Sequence, residues 1–174
     1  MTPGERVDLR RLAQIDLRKL AQAGQTINGE LDLALCDRLA DQLARDTGRI
    51  AYRITGGQDT HGWPVASIAL SGVVPLVCQR CLRPFDHPLD TTVNVRLAAN
   101  ERELAAWDAE EIEAILADEP VDLQDLVEDE LVLSLPYAPM HPSGACTGRA
   151  EEVREPVPEK LPGPFDELAK LKKR

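Results

Sequence analysis

The chain has 174 residues, a formal net charge of −10, 43% hydrophobic residues and only 3% aromatic residues. This length suits one domain with a sizeable core. The scarcity of aromatics excludes base stacking as its main business, and no run approaches the ~18 apolar residues of a membrane helix. The start, MTPGERVDLRRL, lacks the apolar stretch of a signal peptide. The expected compartment is therefore the cytoplasm, where thiols stay reduced. There, four cysteines serve as metal ligands or core residues rather than as disulfides.

Leu9, Leu12, Ala13, Leu17, Leu20 and Ala21 recur at helical spacing, which predicts a helix over 9–23 stopped by Gly24. Residues 25–33 are ambiguous, since Leu31 and Leu33 alternate with polar neighbours as in a strand. Leu35, Leu39 and Leu43 then predict a helix over 34–45, with Cys36 on its inner side as a core residue. The period next changes to two. Ile50, Tyr52 and Ile54 share one face. So do Ile68, Leu70, Val74, Leu76 and Cys78, and again Leu89, Thr91, Val93, Val95 and Leu97. Turn-rich GGQDTHGWP and CQRCLRPFDHP separate these runs, predicting an antiparallel meander. Gly72 and Pro75 inside the second run predict a bulge or a sheet edge.

Beyond residue 99 the pattern is helical. Asn100 with Glu103, and Asp108 with Glu111, have the spacing of capping pairs. Asp122 is placed to cap a helix carrying Leu123, Leu126, Val127 and Leu131, which must end in the proline-rich LPYAPMHPSG. Residues 147–163 have little apolar content and three prolines, as a flexible linker does. Residues 164–174 can form a short helical tail. The fold class expected is α+β: an antiparallel meander of three or more strands packed with several amphipathic helices, as one domain over 1–146.

Charge is uneven. Residues 1–99 carry net +1, residues 100–130 net −12, and residues 131–174 net +1. The acidic segment repels nucleic acid, whose affinity comes from phosphate neutralisation. It is either a solvated helix face or a surface for a basic protein, with Glu110, Glu111, Glu113, Glu128, Asp129 and Glu130 as its partner-binding candidates. The opposite sign gathers at Arg80 and Arg83, and at Lys170, Lys172, Lys173 and Arg174. These are the candidates for direct RNA contact; an ordinary basic helix end is the alternative for the tail.

The C-x-x-C of Cys78 and Cys81 can be a metal grip, a redox pair or two plain thiols. A structural zinc site needs four ligands, and His141 with Cys146, five positions apart in a Pro/Gly loop, can supply the other two. A thioredoxin-like pair sits at a strand-to-helix junction, whereas strand residues follow this one. His61 is expected in a solvated hairpin loop, and His87 either on the surface or as a substitute ligand. Trp63 and Trp107 are expected to be packing groups. There is no Ser-His-Asp order, glycine-rich phosphate loop or H-x-x-x-H helix. No enzyme and no small-molecule substrate are expected.

Three stretches in fixed order carry a resemblance: CQRCLRPFDHPL at 78–89, DLQDLVEDELVLSLPYAPMHPSGAC at 122–146 and GPFDELAKLKK at 163–173. Together they resemble the bacterial YceD family, the large ribosomal RNA subunit accumulation proteins. The tail departs from that pattern at Gly163 and Asp166. The resemblance implies a non-catalytic role in accumulation of large-subunit (23S) ribosomal RNA. Its implied partners are that RNA or its precursor particle, or a basic ribosome-associated protein. It also makes Cys78, Cys81, His141 and Cys146 motif positions, with one structural zinc as the implied cofactor.

Overall fold

The computed structural model describes residues 14–142 and 144–146. The expected α+β class is found. A five-stranded sheet has the order β2 (Thr26–Asp32), β3 (Arg49–Gln58), β4 (Pro64–Val77), β5 (Pro84–Ala98) and β6 (Ala114–Leu116). The first four form an antiparallel meander, and β6 joins β5 in parallel. A separate two-stranded ribbon pairs β1 (Gln14–Ile15) with β7 (Val121–Asp122). The helices are α1 (Leu17–Ala23), α2 (Glu101–Asp108) and α3 (Leu123–Ser134). The chain divides into two compact units, residues 1–140 and 141–174.

In the first unit the period-two faces pack as expected. Leu31, Ile50, Tyr52, Ile54, Ile68, Leu70, Val74 and Leu76 are buried together with Leu17 and Leu20 of α1 and Leu123, Val127 and Leu131 of α3. Helix α1 lies directly on the sheet at Gly56, where a Cβ would come within 2.4 Å of the Leu20 carbonyl. Trp63 and Trp107 are indeed packing groups, edge to face at 5.3 Å, with the Arg96 guanidinium 5.7 Å from the Trp107 ring. His61 lies exposed in the β3–β4 turn as expected.

Four expectations need correction. The first helix begins at Leu17, not Leu9, because Asp16 accepts the Lys19 N–H at 2.9 Å as its cap while Gln14–Ile15 are drawn into the ribbon. Leu9, Leu12 and Ala13 lie outside the described residues. The predicted 34–45 helix is two short 3-10 turns, Leu33–Leu35 and Asp37–Leu39. Beyond local turns onto Leu39, tertiary hydrogen bonds claim Gln42 and Ala44. Ala44 N–H donates to Pro75 O and Gln42 O accepts from Val77 N–H, so residues 42–44 line the part of β4 that outruns β3. That also answers the Gly72/Pro75 expectation: β4 is in unbroken register with β5, so there is no bulge, while Pro75 does fall beyond the last β3 pair, on a strand edge covered by residues 42–44. Finally, Asp108 and Glu111 cap no new helix. They close α2, with Glu111 N–H donating to Asp108 O and Ile112 N–H to Trp107 O. The parallel strand β6 follows, a strand the sequence pattern did not indicate.

Of the second unit, His141, Pro142 and residues 144–146 are described. Ala145 N–H donates to Pro142 O at 3.0 Å across a turn in which Gly144 has φ +86°.

Candidate metal centre and its surroundings

The C-x-x-C is the hairpin turn between β4 and β5. Cys78 N–H donates to Arg83 O at 3.0 Å, and Leu82 N–H to Cys78 O at 2.8 Å. These bonds fold residues 78–83 into a tight knuckle with both thiols buried. Leu82 adopts the left-handed conformation, φ 57°, so the knuckle contains a backbone state that side chains enter at a cost. The knuckle is fixed from outside by Gln79 N–H, which donates to Pro139 O at 2.8 Å. Residues 135–140 follow α3, which stops at Ser134 before Pro136.

The second pair is held by its own turn, with the Cys146 sulfur 3.8 Å from His141 Nδ1. The donor atoms of Cys78, Cys81, His141 and Cys146 all lie within 4.8 Å of one another. This is a Cys3His cluster that can hold a metal ion. The donor set fits zinc: soft thiolates with one imidazole, four in number, the composition of closed structural sites. His87 is not part of this cluster; its ring lies 6.3 Å from that of Phe85.

Cys36 is a core residue, as its sequence position indicates. Its sulfur is buried and donates to Asp32 O at 3.7 Å. Burial, reinforced by Glu128, Asp32 and Asp37, pushes its pKa up to about 12. Such a thiol stays protonated and is a poor nucleophile.

The acidic candidates divide into two groups. Glu110, Glu111 and Glu113 are exposed where α2 gives way to β6. Glu128 and Glu130 are buried. Glu128 accepts the Arg38 backbone N–H at 2.9 Å, and Asp129 pairs with the Arg38 guanidinium, which also stands 4.0 Å from Asp125. Gln124 donates to Leu35 O at 3.1 Å. Helix α3 thus clamps the 3-10 segment from one side. Glu130 accepts from the Ser134 hydroxyl at 3.2 Å. Burial holds its pKa above the usual carboxylate range, with Glu113 adding to the rise and the Ser134 bond opposing it. Arg80 and Arg83 are exposed on the knuckle. Lys170, Lys172, Lys173 and Arg174 lie outside the described residues.

Residues 66–172 match the family model described as Large ribosomal RNA subunit accumulation protein YceD. The match takes in the knuckle, α3 and all four candidate ligands. This chain belongs to the YceD family. A curated relative, the Large ribosomal RNA subunit accumulation protein YceD of Haemophilus influenzae (strain ATCC 51907 / DSM 11121 / KW20 / Rd), is 42% identical over 114 residues. That alignment covers 58% of this chain and 61% of the relative, so the similarity spans less than two thirds of the relative's length. No solved structure matches. Among the described residues of this YceD-family chain, no helix is long and apolar enough to cross a membrane. Val127–Glu130, in the middle of α3, is the stretch that grips Arg38.

Proposed function

We propose that this chain is a cytoplasmic ribosome-assembly factor that supports accumulation of large-subunit ribosomal RNA, acting by contact rather than by catalysis. The observation that carries the reading is the family match over residues 66–172, whose described part contains the Cys3His cluster and the helix that braces the fold. The zinc is structural in this reading. Cys78, Cys81, His141 and Cys146 would hold it, and its contribution is to fix the loop after α3, which has few apolar residues to anchor it. The contact surface is the exposed acidic corner of Glu110, Glu111 and Glu113, which suits a basic ribosome-associated protein. Glu128 and Glu130, being buried, support that surface from inside, and Asp129 contributes mainly through Arg38.

Direct binding of precursor RNA by Arg80, Arg83 and the basic tail is the second reading, supported by the exposure of both knuckle arginines. It predicts an affinity that falls steeply with salt, less steeply once residues 164–174 are removed.

The test is depletion of the protein in its own host, with quantification of large- against small-subunit ribosomal RNA. A selective loss of the large-subunit RNA, restored by the wild-type chain, is expected. An unchanged ratio would refute the reading. Replacing Glu110, Glu111 and Glu113 together by glutamine is expected to abolish restoration while the melting temperature holds.

A further inference from the structure

The knuckle carries an exposed leucine at a position where glycine would serve. Leu82 sits in the left-handed region with its side chain 57% exposed. Glycine makes such a turn without the cost that a Cβ brings. The leucine therefore strains the turn, and burial within its own fold does little to offset that strain. Four of the seven large apolar side chains that are exposed among the described residues are Leu82, Leu133, Tyr137 and Met140. The two segments that bear them are stapled together. Gln79 N–H donates to Pro139 O, and the Arg80 guanidinium meets the Met140 sulfur at 3.5 Å. The two segments themselves carry no negative charge. Residues 73–85 and 131–142 contain no acidic side chain, and the former carry Arg80 and Arg83, in a chain of net charge −10.

We propose that this face of the knuckle is a docking surface for a protein whose apolar recess is bordered by carboxylates. Leu82, Tyr137 and Met140 enter the recess, and Arg80 meets its rim. Contiguous exposed apolar side chains mark protein contacts, and Tyr, Met and Arg are the residue types enriched at interface centres. Leucine and methionine have no π-face for a base and no charge for a phosphate, so RNA rewards only Tyr137 and the arginines, whereas an acid-rimmed protein recess rewards the whole set. The surface is separate from the Glu110–Glu113 corner and opposite to it in charge. The inference stands whether or not the ribosomal role does.

The test is photo-cross-linking in cells from p-benzoylphenylalanine placed at position 137 of the full chain, with Thr60 as the control position. Thr60 is exposed in the turn at the other end of β4. A discrete protein adduct is expected from position 137 and not from position 60. Its cross-linked peptide should lie beside Asp or Glu side chains. Leu82→Gly and Arg80→Glu should each reduce it at least tenfold, while Leu82→Gly melts at or above the wild-type temperature. An RNA adduct, no adduct beyond the control, an adduct that survives either substitution, a target without acidic neighbours, or a Leu82→Gly protein that melts lower would each overturn the proposal.

Discussion

Helices α1 and α2 end in the same hydrogen-bonded motif but with different residues at its left-handed position, and this makes a quantitative test. After α1, Gln25 N–H donates to Leu20 O and Gly24 N–H to Ala21 O, with Gly24 at φ 58°. After α2, Ile112 N–H donates to Trp107 O and Glu111 N–H to Asp108 O, with Glu111 at φ 57°. Glycine is the usual residue there; a residue with a Cβ costs ~1 kcal/mol more. Glu111 also places a negative charge at the negative end of the helix dipole, which costs a further ~0.3–1 kcal/mol. Glu111→Gly should therefore stabilise the protein by roughly 1–2 kcal/mol, raising Tm by at least about 2–4 °C for a chain of this size. Glu111→Gln removes only the charge and should gain a few tenths of a kcal/mol. The reciprocal Gly24→Ala meets nothing within 4 Å, so its expected loss of ~1 kcal/mol is purely conformational. Calorimetric melting of the four proteins reads all three differences. Equal melting of Glu111→Gly and Glu111→Gln would show that the backbone argument is wrong. If the acidic corner binds a partner, Glu111→Gly should stabilise the fold and weaken that binding together.

Untagged protein is expected to carry about one zinc per chain, lost in Cys146→Ser and in Cys78→Ser; elemental analysis giving zero in the wild type would remove the metal from the proposal. Glu128→Ala leaves the Arg38 N–H without its acceptor at a part-buried bond and should cost ~1 kcal/mol in denaturant melts, whereas Glu128→Gln, which keeps an acceptor oxygen, should cost less. Glu130 has a raised pKa in the fold, so the native state holds its proton more tightly than the unfolded chain. Its contribution to stability is greatest below the usual carboxylate pKa and declines as pH rises through the folded value. Glu130→Gln should therefore stabilise the protein at pH 7 and flatten its pH–stability curve above pH 4–5; an unchanged curve would contradict the assigned burial effect. Cys36 should react with a thiol reagent only on unfolding, since its pKa of about 12 leaves almost no thiolate at neutral pH.

Where a residue's role followed from local chemistry, the sequence was a good guide. Asp122 was legible as a cap because a carboxylate before an apolar helical run has one local use, and it accepts from Gln124 and Asp125 N–H. The meander was legible because one face of each strand is apolar over several residues. The 34–45 segment misled because i, i+4 leucines describe any buried one-sided stretch. The decisive influence was the unpaired end of β4, distant in sequence. Strand β6 is three residues long and parallel, too short to show a period. Within the candidate centre, the ligand types were visible, but the bond from Gln79 N–H to Pro139 O is a backbone contact that no side-chain pattern announces.

The acidic segment shows why net charge alone cannot locate a surface. Glu130 lies two turns on from Leu123, and helical periodicity already places it on the inner side of α3 among Leu123, Val127 and Leu131. Glu128 flanks the same stripe, and its carboxylate is occupied by a main-chain donor from the 3-10 segment. Glu128 thus braces the 3-10 segment, Glu130 is buried at a cost to stability at neutral pH, and Asp129 is left to Arg38. The remaining exposed acids at Glu110, Glu111 and Glu113 sit where no basic residue occupies the last turn of α2 and where one of them takes a conformation better suited to glycine. An acidic corner there works against the stability of its own helix, a cost that the proposed contact with a basic partner would account for.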